Sequence, residues 1–258
     1  KINLSSDLLV LLSDGYFTRL QVSSLPNINK LNDLENNNFA YKLDSILELE
    51  NNKTSLAFWQ NQANDSQTLA CATKKGKVMR IKSFSAPKSD SFIGFNLDDD
   101  DVVCQAKICY ESDKLVFITA NAQLLVFPAS KVRPQGKGSG GMAGIKLSDD
   151  NLIAFSSVKN KNEAHILTAA GQSSALPGLE NGFVKVSPLE IYPEKGRSTG
   201  GVRCQRFLKG QDKLIFAEIS EFRPRAWTSK GQKISLPEIS DKRDGAGQKI
   251  DYPIAYAN

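Results

Sequence analysis

Histidine is almost missing from this chain: His165 is its single copy in 258 residues. That excludes zinc sites built on several imidazoles and leaves a Ser-His-Asp or Cys-His set possible only through His165. Cysteine is sparse. Cys71, Cys104, Cys109 and Cys204 form no C-x-x-C pair, so a zinc knuckle is unsupported. Each lies in or beside an apolar, strand-like run (LACAT, DVVCQAKICY, GGVRCQRF) and reads as a small buried hydrophobe in a reducing compartment. A Cys104–Cys109 disulfide is the alternative reading. No stretch approaches the roughly 18 apolar residues of a membrane helix. The opening KINLSSDLLVLL has one lysine and no small-residue cleavage signal, so it is not read as a secretory leader. Helical periodicity is scarce too; only LNDLENN, 31–37, offers a short helical turn.

What is present is a globular composition, 40% hydrophobic and 24% charged, long enough for one large domain or two small ones. The net charge of +5 conceals its placement. Residues 1–65 hold 5 bases and 8 acids, so the remainder carries +8. Acid-free basic blocks lie at 66–89 (Lys74, Lys75, Lys77, Arg80, Lys82, Lys88), 126–147 (Lys131, Arg133, Lys137, Lys146) and 222–237 (Arg223, Arg225, Lys230, Lys233). Residues 195–213 hold six bases and one acid, whereas 90–113 hold seven acids, including Asp98 to Asp101. In a repetitive fold such blocks predict a basic stripe; otherwise they are ordinary solvated surface.

A repeat does organise the chain. LLVLLSDGYFTRLQV, TLACATKKGKVMRIKSF, LVFITANAQLLVFPAS, HILTAAGQSSALPG and PRAWTSKGQKISLPE read as hairpins with turns at Gly15, Gly76, Ala122, Gly171 and Gly231, spaced by 61, 46, 49 and 60 residues. After each of the first four comes strand, polar turn, strand: SILELENNKTSLAFW, IGFNLDDDDVVCQAKI, AGIKLSDDNLIAFSSV and CQRFLKGQDKLIFAEI. The unit is therefore four short strands. The expected fold is all-β: one propeller-like domain over 1–258, with units near 7–60, 66–112, 113–162, 163–219 and 220–258. About five blades are expected, six if one precedes the sequence. The fifth unit has its hairpin and one more strand, QKIDYPIAY; Lys1 to Leu4 are expected to supply its missing fourth strand and close the ring.

Three units carry a Gly-rich basic loop between their second and third strands: Arg133-Pro-Gln-Gly-Lys-Gly-Ser-Gly-Gly-Met-Ala-Gly-Ile-Lys, Glu194-Lys-Gly-Arg-Ser-Thr-Gly-Gly-Val-Arg, and Lys242-Arg-Asp-Gly-Ala-Gly-Gln-Lys. Glycine permits close backbone approach, and flanking Arg and Lys suit phosphate oxygens. None matches a Walker loop or a dinucleotide fingerprint. A single such loop reads as a bulge or crossover; three in equivalent places predict a phosphate-backbone surface.

Four-strand units combined with VRPQGKGSGGMAGIKL, YPEKGRSTGGVRCQRFLKGQDKL and LPEISDKRDGAGQKI resemble the C-terminal domain of the A subunit of bacterial type IIA topoisomerases, DNA gyrase and topoisomerase IV. The resemblance implies a β-pinwheel whose blades exchange strands and whose basic rim binds and bends duplex DNA. The partners it implies are an ATPase B subunit plus the rest of the A subunit; the location it implies is cytoplasmic and nucleoid-associated. ATP and Mg would serve other parts of the holoenzyme, an isomerase, with no cofactor in this domain. One departure stands out. Where gyrase carries a Gln-Arg-Arg-Gly-Gly-Lys-Gly-like box, Pro26 to Asn38 hold one lysine and no glycine, and Gln135 to Gly138 echo the box only in unit three. That points toward topoisomerase IV or weak wrapping.

No catalytic set is expected here: in that family cleavage uses a tyrosine preceded by arginine, and none of Tyr16, Tyr41, Tyr110, Tyr192, Tyr252 and Tyr256 follows one. The run Asp98–Asp101 lacks EF-hand spacing and reads as a solvated turn. His165 opens an apolar strand and reads as structural or surface. The expected DNA contacts are Arg19, Lys74, Lys75, Lys77 and Arg80 from hairpins, with Arg133, Lys137, Lys146, Lys195, Arg197, Arg203 and Arg206 from loops and the strands after them. The rival is a protein-binding propeller using Phe92, Phe95 or Trp59; a propeller hydrolase is poorly served by one histidine.

Overall fold

The computed structural model describes residues 7–21, 23, 47–50, 52–59, 66–82, 84, 87–174 and 182–258. Among them regular structure is β, with short 3-10 turns such as Ala129–Lys131 and Leu189–Ile191. The helical turn expected at 31–37 and the closing strand expected at Lys1 to Leu4 lie outside the described residues.

The first half of the chain runs β1 Asp7–Leu12, β2 Tyr16–Gln21, β3 Ser55–Trp59, β4 Thr68–Thr73, β5 Lys77–Lys82, β6 Ser91–Ile93, β7 Val103–Cys109, β8 Lys114–Thr119, β9 Gln123–Pro128 and β10 Pro134–Gln135. The second half runs β11 Met142–Ala143, β12 Leu152–Val158, β13 His165–Gly171, β14 Phe183–Pro188, β15 Val202–Arg203, β16 Lys213–Ser220, β17 Ala226–Trp227, β18 Lys233–Ile234, β19 Gln248–Lys249 and β20 Tyr256–Ala257. They form five sheets: β3-β1-β2-β6, then β10-β5-β4-β7 with β11 also on β5, β12-β8-β9-β15, β16-β13-β14-β19, and β18-β17-β20.

In units two to five the third strand does not join its own hairpin. It crosses to the preceding one: β6 pairs with β2, β11 with β5, β15 with β9 and β19 with β14. This is the strand exchange that the resemblance implied. QKIDYPIAY is accordingly divided, its Gln248–Lys249 completing sheet four and its Tyr256–Ala257 pairing with β17 in sheet five. The strand that sheet five lacks among the described residues is thus the exchanged one, not the fourth.

The apolar runs are nearly continuous because the inner sheets are covered on both faces. Alternate residues of a strand point to opposite sides. Leu69 and Cys71 of β4 pack with Leu9, Leu11 and Phe17 of the first sheet, while Ala70 and Ala72 pack with Leu115 and Phe117 of the third. Val116 and Ile118 of β8 then meet Ile166 and Ala170 of β13, and Leu167 and Ala169 meet Ala226 and Ile234 of sheet five. Five sheets stacked face to face in chain order are a propeller-like architecture.

Hairpin turns are closed alike, with the amides of Gly15, Gly76, Ala122 and Gly231 bonded to the carbonyls of Leu12, Thr73, Thr119 and Thr228. Gly171 breaks the expected alignment: it is the last residue of β13, and the connection to β14 is longer. The acidic turns have a role beyond solvation. Asp101 Oδ1 accepts the amides of Lys75 and Val102, Asp150 Oδ1 those of Asn121 and Asn151, and Asp212 Oδ1 that of Ser173. Each carboxylate ties the fourth-strand turn to the hairpin turn beside it.

Glycine is needed where an exchanged strand reaches its host. At Gly201, φ is +75° and a Cβ would stand 2.3 Å from the Leu124 carbonyl oxygen, whereas a Cβ at Gly136 would meet nothing within 4 Å. We expect Gly201→Ala to destabilise the fold by about 2–4 kcal/mol and Gly136→Ala by no more than about 0.5 kcal/mol. Urea unfolding of the two variants checks this; equal midpoints would contradict the strand-seating role.

The four cysteines are free thiols, three of them buried. Cys104 and Cys109 lie five positions apart along the extended strand β7, roughly 16 Å at about 3.3 Å per residue, too far for a disulfide. Burial pushes all four thiols up, Cys104 to about 11 and Cys204 to about 12. A raised thiol holds its proton in the folded state after the unfolded chain has lost it. Its stabilisation is therefore present below the ordinary value of 9.0 and is lost as pH rises toward 11 or 12. Lys185 acts oppositely. Burial lowers it from 10.5 to about 8, so its penalty fades across that interval. With four thiols against one amine, the thermal midpoint is expected to fall above about pH 9. Scanning calorimetry under reducing conditions checks the sign; a rising midpoint would contradict it.

Candidate nucleic-acid interface

Each Gly-rich loop brackets a hairpin strand of the preceding unit. The loop at 133–146 enters as β10, parallel to β5, and leaves as β11, antiparallel to the same strand. The loop at 193–206 repeats this on β9, with the Lys195 amide bonded to the Val126 carbonyl and Val202 opposite Leu124. The third loop does so on β14, with Ser240 N–H bonded to the Val186 carbonyl and Lys249 opposite Phe183.

The loops are also joined to one another. Gly138 N–H donates to the Gly94 carbonyl and Asn96 N–H to that of Ser139 (2.8 and 3.0 Å). Ser198 N–H donates to Gly144 and Lys146 N–H to Thr199 (2.7 and 3.0 Å). Arg206 N–H donates to Gly245 (3.1 Å). Residues 94–97, 136–146, 196–206 and 243–249 therefore run as one hydrogen-bonded edge across four sheets.

That edge and the short strands leading into it carry most of the expected contacts. Arg133, Lys137, Lys146, Lys195, Arg203 and Arg206 are exposed and Arg197 is half-buried. Among the described residues none of the seven is in an ion pair. Lys137 Nζ lies 6.0 Å from the centroid of the Phe92 ring, Lys195 Nζ bonds the Gly201 carbonyl, and Arg197 bonds the Ala143 carbonyl at 2.5 Å. Lys242, Arg243 and Lys249 are exposed on the same edge and complete it. They stand in the third Gly-rich basic loop, beside Asp241 and Asp244, and are not among the contacts expected from the sequence.

The hairpin cations are placed differently. Lys74 is exposed, but Lys75 Nζ donates to the Asp99 carbonyl (2.6 Å) and Lys77 pairs with Asp98 (2.6 Å), because the acidic turn folds against this hairpin. Arg19 is half-buried and donates to the Pro87 carbonyl. Arg80 is a correction. It is 2% exposed, its guanidinium is bonded to Thr68 Oγ1 and to the carbonyls of Ala129 and Val132, and it pairs with Glu111 at 2.7 Å. It anchors the root of the first basic loop from within and is closed to a partner.

Lys185, which the sequence pattern hid inside an apolar strand, does the same for the later loops. It is 2% exposed, and its Nζ donates to the carbonyls of Cys204 (2.7 Å) and Arg243 (2.6 Å), in consecutive loops, with Tyr192 Oη at 3.3 Å. Burial raises the Tyr192 phenol, so it stays a neutral hydrogen-bonding group beside the amine.

Elsewhere the surface offers little chemistry. Among the described residues no group of three or more His, Cys, Asp or Glu is arranged to hold a metal ion. Asp98 and Asp101 are engaged as ion-pair partner and turn cap. No helix among the described residues is long and apolar enough to cross a membrane. Of the apolar tips in the rival reading, Phe95 is 1% exposed in the core and Phe92 packs against Phe17 and Phe84; the Trp59 side chain lies outside the described residues.

Comparison with known proteins gives a consistent picture. A family model described as the DNA gyrase C-terminal domain, beta-propeller, matches residues 113–159 and 180–220. The DNA gyrase A subunit of Mycobacterium tuberculosis (strain ATCC 25618 / H37Rv) is 28% identical over 160 residues, covering 60% of this chain and 18% of that protein. Its Haemophilus influenzae counterpart is 26% identical over 194 residues, covering 67% of this chain and 22% of that one. The chain thus spans less than a quarter of the length of these relatives. In fold, it superposes on the crystal structure of the C-terminal domain of DNA topoisomerase IV with a TM-score of 0.80 at 18% identity, covering 99% of this chain and 79% of that one. For the DNA gyrase A C-terminal domain the TM-score is 0.68 at 16% identity, covering 99% and 83%. The resemblance read from the loop motifs is therefore shown: in sequence and in fold, the chain resembles the C-terminal domain of bacterial type IIA topoisomerase A subunits.

Proposed function

We propose that this chain binds duplex DNA along the joined Gly-rich loops, contacting phosphates without reading bases, and bends the duplex over that edge. One observation carries the reading: loops from separate units are hydrogen-bonded into one edge whose cations have no acidic partner among the described residues. A cation already paired with a carboxylate must break that pair to meet a phosphate, whereas these seven need not. Arg133, Arg203 and Arg206 present planar forks to phosphate oxygens, and Gly136 and Gly196 add no side chain between backbone and partner. Smoothly bending a 20–30 base-pair site costs on the order of 1–6 kcal/mol, so several contacts must act together.

By its family resemblance the chain would belong to a topoisomerase A subunit, working with an ATPase B subunit in ATP-dependent control of DNA topology in the cytoplasm. The strand-cleaving chemistry would then belong to another domain. The test is fluorescence anisotropy with labelled duplexes of unrelated sequence across a salt series. A protein making about 6–10 phosphate contacts loses roughly three to five decades of affinity between about 50 and 200 mM salt. We expect a steep loss of that kind, alike for every duplex. Salt-insensitive or absent binding would overturn the reading.

A further inference from the structure

One buried charge stands where two sister strands carry none. Met142 faces Val78, Val202 faces Leu124 and Gln248 faces Val184, which puts Lys185 at the register place of Met79 and Leu125. Both of those are wholly buried and apolar. A sheet of this kind therefore folds with an apolar side chain there, and a buried amine costs desolvation that the fold does not require.

What the amine does instead is join two loops. Lys185 Nζ donates to the Cys204 carbonyl, in the loop at 193–206, and to the Arg243 carbonyl, in the third loop (2.7 and 2.6 Å). Tyr192 Oη, itself 2.9 Å from Ser187 Oγ, is the third acceptor at 3.3 Å. An ammonium has three N–H donors, one for each. Among the described residues neither carbonyl accepts a backbone amide. The Arg206 N–H bonds the Gly245 carbonyl at the same junction, which carries the cations Arg203, Arg206 and Arg243.

The other groups facing the amine are the Cys204 thiol and the Asp244 carboxylate in the loops, the Tyr192 phenol and, across from it on β13, Thr168. Burial raises the thiol to about 12 and pushes the phenol up as well, so neither loses its proton before the amine, which burial lowers to about 8. A neutral amine has two N–H donors and no charge to strengthen them. One acceptor is then released and the other two bonds weaken. The sheet itself does not suffer, since a neutral amine is easier to bury. The root of the first basic loop is held by a guanidinium, that of Arg80, which does not give up its charge in this way. We propose, on the basis of the duplex contact above, that Lys185 is a positioning residue for that contact: its ammonium holds the second basic loop against the third, and loss of that proton slackens the pair and weakens DNA binding while the first loop stays in place.

The test is a titration of the whole chain from about pH 6.5 to about pH 9, read by the methyl resonances of Met142, Val202 and Ala246 and by anisotropy with a labelled duplex. The Val202 and Ala246 methyls are expected to shift with a common midpoint near pH 8, shared by the Cε resonance of Lys185, while Met142 in the first loop does not move. Duplex affinity should fall about tenfold across that midpoint. Lys185→Met, which copies the Met79 of the sister strand, should bind no tighter than the alkaline wild-type chain and show no pH dependence. Methyls that stay still, or that titrate apart from the Lys185 resonance, overturn the proposal without need of a variant. So does duplex binding that is constant over the whole range, or a pH dependence that survives in Lys185→Met. Absence of duplex binding at every pH is a different failure: it overturns the duplex reading itself, and the positioning role with it.

Discussion

Reversing four loop cations together, Lys137→Glu, Lys146→Glu, Arg203→Glu and Arg206→Glu, is expected to lower duplex affinity about a thousandfold and flatten the salt dependence. Each phosphate contact contributes about 0.9 to the slope of log affinity against log salt, so losing four should reduce it by about 3.6. The four side chains are exposed and unpaired among the described residues, so the thermal midpoint should shift little. The same reversal at Lys74, Lys75 and Lys77 should cost only about tenfold, because Lys77 already pairs with Asp98 and Lys75 with the Asp99 carbonyl. Anisotropy titrations of the two variants side by side check the contrast. A larger loss from the hairpin variant would place the interface on the hairpins.

Arg80→Met should act through stability instead. The substitution keeps much of the apolar stem but strips donors from Thr68 Oγ1 and from the carbonyls of Ala129 and Val132, all at the root of the first basic loop. The Ala129 carbonyl keeps the Val132 N–H, but removing the guanidinium from the other two acceptors and from Glu111 is expected to cost about 2–4 kcal/mol. Arg80→Lys should recover part of this, since an ammonium restores the charge but not the fork. Denaturant unfolding gives the loss, and duplex titration of the folded variant should give near-native affinity. Native stability combined with a large loss of affinity would mean that Arg80 reaches DNA after all.

These two arginine and lysine sets show where the sequence was legible. Alternating apolar runs around Gly15, Gly76, Ala122 and Gly231 announce hairpins because the pleat has period two and those turns demand left-handed backbone. Three Gly-rich basic loops in equivalent places announce a shared edge for the same reason of periodicity. Strand membership was less visible. Met142–Ala143 or Val202–Arg203 is two residues long, and nothing local says which hairpin so short a strand will join; the fit of Gly201 against Leu124 decides it. Nor does a sequence distinguish Arg80, buried between strand and loop, from the exposed Lys74 a few positions earlier. Burial of a charge depends on carbonyls brought from residues 129 and 132 by tertiary packing. Lys185 is hidden in the same way, and the aspartate caps show their purpose only once two turns are side by side.

The central claim is that DNA lies on the edge formed by the joined loops, and hydrogen–deuterium exchange of the chain with and without duplex DNA tests it most directly. The backbone amides at 136–146, 195–206 and 242–249 are expected to gain protection on binding, in a salt-dependent manner, while the turn at 98–101 remains unchanged. Protection confined to the hairpin turns or to sheet five, with the three loops exchanging as before, would contradict it.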